Sequence, residues 1–255
     1  MHEGIPPGGV LVPELAARAN RAVGNADGAA LIEVFGGLTL EARDGSTLIS
    51  CDDGVARALA TNERVTVLPS RTLRVRYVAF AGGLAVPEVL GGQGTLLVAN
   101  LGGHQGRALR AGDCLPVASP DRAEPALERL GAPGPPLDLS RAVRVFVGPD
   151  SQRFAADALT TLASHAFTVL SASDRTGVRL GGATLPRSGD DTGHSSPMVR
   201  GAIQVPASGL PIVLGPDHPT TGGYPVVAVV ARADLGLLLA RPLGATVRFT
   251  VLERP

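Results

Sequence analysis

The chain has 255 residues, 44% of them hydrophobic, with 33 glycines, 21 prolines and no tryptophan. Basic and acidic residues balance at 23 each, so the net charge is zero and neither a nucleic acid nor an anionic membrane is indicated as a partner. All 23 basic residues are arginine, which excludes a lysine Schiff base, a Walker-type lysine and biotin carried covalently on this chain.

No apolar run reaches the roughly 20 residues of a bilayer span. The opening MHEGIPPGGV has neither the basic nor the apolar region of a secretory signal, so a cytoplasmic location is expected. Cys51 and Cys114 are too few for a disulfide framework and are expected to be small buried residues.

After the Pro/Gly loop, Pro13 suits the first turn of a helix that runs to about Val23 and stops at Gly24-Asn25. Short β patterns follow at Ala30–Val34, Leu38–Ala42, Thr47–Ser50, Arg64–Leu68 and Leu73–Ala81. The last of these, LRVRYVAFA, alternates, which predicts one wet and one dry face. A Gly-rich block spans Ala81–Val117. Residues 119–140 carry five prolines, interspersed charge and no apolar period, as a linker does.

Beyond the linker, Ala142–Val147 predicts a strand, and Asp150 is placed to cap a helix from Ser151 to Ser164. Phe167–Leu170 is a further strand, and Pro186–Ser196 a polar loop. Within Gly201–Val230, two short apolar runs flank a turn at Pro206–Gly209. The polar segment Asp217–Gly223 then leads through Tyr224-Pro225 into a long apolar strand. Asp234 is expected to cap a helix over Leu235–Ala240, and Ala245–Leu252 to close the fold. The expected architecture is mainly β, with a few short helices and two barrel-like lobes over 1–118 and 141–255. Both lobes end in a basic, Gly-containing turn into a terminal strand, a hint of duplication.

The chemistry concentrates between residues 217 and 224, where an acid, an imidazole, two hydroxyls, two glycines and a phenol fall within eight residues. Gly222 and Gly223 permit positive φ and bring bare amides close to a ligand, and Thr220 and Thr221 add hydroxyls. The alternative is a structural turn before a barrel strand. Asp174-Arg175 is either an ion pair bracing a turn or a site where Arg175 offers its planar fork to an anion. His104, in a Gly-rich loop, is a candidate for acid–base work or partner contact, and the tautomer of His218 is expected to be set by Asp217. The five histidines lack metal-binding spacing; Asp190-Asp191 near His194 reads as a solvated loop. No GxSxG elbow or Walker A motif occurs.

The run G-A-I-Q-V-P at Gly201–Pro206, the apolar Pro211–Leu214, Asp217 and T-T-G-G-Y-P at Thr220–Pro225 form a compound pattern. It resembles the signature of the 5-oxoprolinase C-subunit family, also called allophanate hydrolase subunit 2 or biotin-dependent carboxyltransferase domain. Gly102-Gly103-His104-Gln105-Gly106-Arg107 through Gly112-Asp113, and Ser173–Leu180, resemble two further family motifs. Departures are Val12 and Ala85 at positions usually acidic, Gly92-Gln93-Gly94 for Ser-Arg-Ser, His218-Pro219 for Arg-Gln, and an absent opening strand, which reads as a late start.

The resemblance implies a cyclophilin-like C-terminal barrel and one subunit of an ATP-dependent hydrolase that opens 5-oxoproline to glutamate. It implies a subunit-B-like partner, joined by the A subunit of the same system, and ATP with Mg shared with those partners. The catalytic candidates are then Arg175, Asp174 and His104. The substrate-binding candidates are Gln204, Asp217, His218, Thr220, Thr221, Gly222, Gly223 and Tyr224, with the loop amides and Arg175 holding the anionic centre. Two alternatives stand beside it. One is a carboxyltransferase module of a urea carboxylase or allophanate hydrolase system, with biotin on a separate carrier. The other is a non-catalytic antagonist that sequesters the subunit-B-like protein.

Overall fold

A computed structural model describes residues 4–118, 137–188 and 195–252. These divide into two compact units, one of residues 8–118 and the other of 137–188 and 195–252 with the short stretch 4–7. Most of the expected linker, 119–136, lies outside the described residues, as do His2, Asp190, Asp191 and His194.

The first unit opens with helix α1 (Pro13–Ala22), which has proline in its first turn and no side-chain cap. Its entry is held instead by two side chains from the sheet. The Val12 N–H donates to the Tyr77 hydroxyl at 2.8 Å, the Leu11 N–H donates to Glu33 Oε2 at 2.8 Å, and Tyr77 donates to the same Glu33 oxygen at 2.8 Å. Strands β1 (Ile32–Val34), β2 (Leu38–Glu41), β3 (Thr47–Cys51), β4 (Ala56–Leu59), β5 (Arg64–Val67) and β6 (Arg76–Phe80) follow. They form a four-stranded antiparallel sheet, β1-β6-β3-β4, and a separate ribbon, β2-β5.

The alternation of Leu73–Ala81 does not give β6 a wet face: Tyr77 to Phe80 are all buried. The strand is central in its sheet: Tyr77 lies on the side of α1, taking the Val12 N–H, while Val78 and Phe80, on the face that carries Arg76, pack with Val65 and Val67 of the β2–β5 ribbon. Strand β4 has too many charged and small residues to announce itself, and is formed by pairing with β3 from Thr47↔Leu59 to Ser50↔Ala56. Neither cysteine is fully buried: Cys51 is half-covered, with burial pushing its thiol pKa up, and Cys114 is exposed.

The second unit contains β7 (Val143–Val147), α2 (Ala158–Ser164), β8 (Ala166–Val169), β9 (Gly177–Gly181), β10 (Ser196–Pro197), β11 (Ala202–Gln204), β12 (Ile212–Leu214), β13 (Thr221–Gly222), β14 (Val226–Val230), α3 (Leu235–Leu239) and β15 (Thr246–Leu252). Seven strands close a barrel in the order β11-β12-β9-β8-β15-β7-β14, and β10-β13 form a two-residue ribbon. Each barrel neighbour is antiparallel except β15 with β7, so the long β15 pairs with β8 at its start and with β7 at its end. β-branched runs such as VVAVV in β14 suit this pleated, enclosed surface. Phe167 and Phe249 meet edge to face inside it, 5.8 Å apart. The two units do not repeat one another, since closure occurs in the second and the first has an open sheet.

Two expected helix caps take other roles. Residues 151–153 form only a 3-10 turn and α2 starts at Ala158; the Asp150 carboxylate receives the Val226 N–H at 2.9 Å. Asp234 precedes α3 without capping it. Its carboxylate takes the Arg144 backbone N–H at 2.8 Å, Nε at 2.9 Å and Nη2 at 2.7 Å. In both places an acid next to a helix is taken by a donor on a distant strand.

Candidate functional site

The polar segment 217–224 is built into the barrel by a long-range latch. The Arg175 guanidinium donates through Nε to Asp217 Oδ2 at 2.7 Å and through Nη2 to Oδ1 at 3.0 Å, with both side chains largely buried. Backbone bonds run alongside, Gly215 N to the Thr176 carbonyl at 2.9 Å and Asp217 N to the Arg175 carbonyl at 3.2 Å. Position 215 must be glycine for this approach, because a Cβ there would collide with the Arg175 carbonyl oxygen. The Asp174–Arg175 pair is therefore corrected: Asp174 accepts the Thr176 and Gly177 N–H groups at 2.8 and 3.0 Å and braces its own turn.

Gln204 sits at an irregularity of the barrel, where the register between β11 and β14 shifts from Ile203↔Ala228 to Gln204↔Val226. Such a bulge re-aims a side chain. Here the Gln204 amide is buried, and Nε2 donates to the Tyr224 carbonyl at 3.1 Å and approaches Met198 Sδ at 3.1 Å. Gly222 lies against this group: a Cβ would stand 2.9 Å from Gln204 Nε2 and 3.2 Å from Met198 Cγ. Neither Gly222 nor Gly223 adopts positive φ, so what a side chain at 222 would meet is the Gln204 amide and Met198, not a backbone constraint. The floor is apolar, made by Met198, Ala202, Leu214 and Val226.

Above that floor, Thr221, Gly223 and Tyr224 are exposed and Thr220 is half-buried. Thr221 and Gly222 form β13, paired with Ser196-Pro197. The Tyr224 ring is 49% exposed, with the Arg187 guanidinium 5.9 Å from its centroid. Arg187 is anchored by donating from Nε and Nη2 to the Val205 carbonyl, at 3.0 and 2.7 Å. Arg187 and Met198 were not legible as site residues: one falls in the polar loop 186–196, the other beside it, and neither carries a motif.

His218 is fully buried and does not meet Asp217, whose oxygens belong to Arg175. Its Nδ1 lies 2.8 Å from the Pro219 carbonyl, so a backbone group and not the neighbouring acid sets its tautomer.

His104 belongs to the first unit. Its loop is folded by close backbone contacts that only glycine admits: a Cβ on Gly103 would strike the Thr95 hydroxyl, and one on Gly106 the Asn100 carbonyl oxygen. Asp113 receives Arg107 Nη1 and Nη2 at 2.7 and 2.8 Å and the Arg110 N–H at 2.8 Å. The Arg107 guanidinium foremost, then that amide, hold the Asp113 carboxyl far below the usual carboxylate range. His104 Nε2 stands 3.7 Å from Asp113 Oδ1, outside hydrogen-bond reach. A cleft of about 290 Å³ in this unit, lined from β3 to β6, contains no motif residue. Among the described residues no group of three His, Cys, Asp or Glu could hold a metal ion, and no helix is long and apolar enough to cross a membrane.

The family model described as "Carboxyltransferase domain, subdomain A and B" matches residues 3–251. The chain belongs to the carboxyltransferase-domain family. The 5-oxoprolinase C subunit of Escherichia coli K12 is 34% identical over 245 residues, 91% of this chain and 78% of that protein. Its Haemophilus influenzae counterpart, which carries the same name, is 32% identical, covering 94% and 81%. The urea amidolyase of Lachancea kluyveri is 29% identical over 91% of this chain but only 14% of its own length.

Among solved structures, TTHA0988 superposes with a TM-score of 0.81 at 33% identity, covering 98% of this chain and 50% of its own. Kluyveromyces lactis urea carboxylase superposes at 0.80 with 26% identity, covering 98% and 25%. This carboxyltransferase-domain chain thus spans about half of the TTHA0988 chain and a quarter of the urea carboxylase.

Proposed function

We propose that this chain is the C subunit of an ATP-dependent 5-oxoprolinase, opening the lactam of 5-oxoproline to glutamate together with a subunit-B-like partner and the A subunit. The observation that carries this reading is its 34% identity, across 91% of the chain, to a protein named as the C subunit of 5-oxoprolinase. In the reaction, the lactam C–N bond breaks, water supplies the carboxyl oxygen, and the ring nitrogen leaves as the amine. The negative charge that develops on the lactam oxygen is matched by the exposed rim of the site. There Thr221 offers a hydroxyl, Gly223 and Tyr224 offer backbone amides, and Arg187 adds positive charge over the Tyr224 ring. Arg175 is assigned a positioning role, because its fork is spent on Asp217.

With no lysine on this chain, the phosphates of ATP would fall to its arginines or to the partner subunits, and no step on this chain is routed through the nucleotide.

The test is 5-oxoproline-dependent ATP hydrolysis by the co-expressed subunits, with Thr221→Val and Arg187→Ala alongside. Turnover that requires this chain and falls about 10- to 100-fold in kcat in either variant supports the reading. A stable complex without lactam-dependent turnover overturns it and leaves the antagonist role. The likeness to a urea carboxylase supports a second reading, carboxyl transfer from biotin to urea. With no lysine here, biotin would arrive on a separate carrier. Urea-dependent consumption of carboxybiotin from such a carrier distinguishes the two.

A further inference from the structure

One buried group near the site is not used by the chemistry above. His218 is 0% exposed, and its Nδ1 stands 2.8 Å from the Pro219 carbonyl oxygen. A carbonyl only accepts, so the ring hydrogen sits on Nδ1, and Nε2 of the neutral imidazole presents a bare lone pair. That Nε2 is buried without a hydrogen-bond partner among the described residues. The adjacent acid cannot serve it, since ionised Asp217 has no donor and both its oxygens take Arg175. Buried polar atoms are nearly always paired, so this acceptor marks a place where a donor beyond the described residues fits.

The donor has to carry a hydrogen on nitrogen or oxygen. A cationic group brought to this buried position would need a counter-charge, and the neighbouring carboxylate is already neutralised by Arg175. What fits is an uncharged N–H or O–H group.

We propose that His218 Nε2 accepts the ring N–H of a cyclic amide substrate and so fixes its orientation at the 217–224 loop. The lactam, and with it the N–H, rests on the function proposed above; the geometry of the ring asks only for an uncharged hydrogen-bond donor. The imidazole is fully covered, so the proposal requires the 217–224 loop to open for the substrate to reach it.

The test is histidine-labelled ¹⁵N NMR on the full chain, alone and with its subunit-B-like partner. 5-Oxoproline should move the His218 Nε2 resonance towards the hydrogen-bonded range, while N-methyl-5-oxoproline, which lacks the N–H, leaves it in place. Exposed His165 serves as the unmoved control. In turnover, His218→Asn keeps a donor for the Pro219 carbonyl but loses the distal acceptor, and should raise KM about tenfold with kcat little changed. His218→Gln, which can place a carbonyl oxygen near the Nε2 position, should recover most of that loss. A resonance moved equally by the N-methyl lactam overturns the proposal. So does one that stays put while calorimetry shows 5-oxoproline bound. If 5-oxoproline does not bind, low-millimolar urea is the second N–H donor. A shift with urea keeps the acceptor and discards the lactam; a shift with neither discards the acceptor.

Discussion

Each unit has a bidentate arginine–aspartate pair among its glycine-rich motifs, and these two pairs differ in what they join. Arg107 and Asp113 are six residues apart and close a single loop, with side chains 24% and 15% exposed. Arg175 and Asp217 are 42 residues apart, 17% and 6% exposed, and tie the turn before β9 to the segment after β12. The first stiffens a local shape that glycine contacts at 103 and 106 already impose. The second sets where one motif stands against another. A pair that spans sequence positions a site; a pair within a loop decorates it.

The sharpest way to break this comparison is to remove one acid from each pair. Asp217→Ala removes the bidentate acceptor of a largely buried guanidinium and should cost the barrel about 3 kcal/mol, read by urea unfolding. The same change at Asp113 should have a clearly smaller effect; equal losses would erase the distinction.

Next in size is Gly106→Ala. Its Cβ would meet the Asn100 carbonyl, and its φ of 66° suits glycine, so roughly 1–3 kcal/mol should be lost from the first unit. Gly222→Ala meets a side-chain amide that can shift, and should instead lower turnover with little change in melting temperature.

A gentler probe is acid. Asp234 and Asp113 are both held below the usual carboxylate range, chiefly by hydrogen bonds from Arg144 and Arg107. Their unfolded-state pKa is about 3.9. Depressed folded values mean that their contribution is complete above that pH and is lost as pH falls through the folded values. Stability of the native chain should therefore be flat from pH 7 to about 5 with respect to these groups and drop below about 4. Asp234→Asn should reduce stability at neutral pH and flatten the barrel's acid limb, and Asp113→Asn should do the same, more weakly, in the first unit.

Much of the β architecture was legible because period and punctuation are local. The helix at Pro13, the runs that became β11, β12 and β14, and the closing β15 all lie within a residue or two of where the patterns place them. What misled were residues whose role is chosen by a distant partner. Asp150 and Asp234 look like helix caps, but donors on β14 and β7 claim them. Leu73–Ala81 alternates as if half-wet, but Val78 and Phe80 on its second face pack with Val65 and Val67 of the β2–β5 ribbon. Arg175 sits beside Asp174 in sequence and pairs with Asp217 in space.

The sequence by itself determined the class of the fold, the family and the candidate segment 217–224, since these follow from composition, period and the compound motif at 201–225. Only the tertiary structure decided which carboxylate each arginine meets, what stands against Gly222, and that Arg187 and Met198 lie beside that segment. It also decided that one nitrogen of His218 is buried without a partner among the described residues. The reason is physical: hydrophobic period and turn chemistry act over a few residues, whereas the satisfaction of a buried charge or hydrogen bond depends on whichever group the closed barrel brings within about 3 Å.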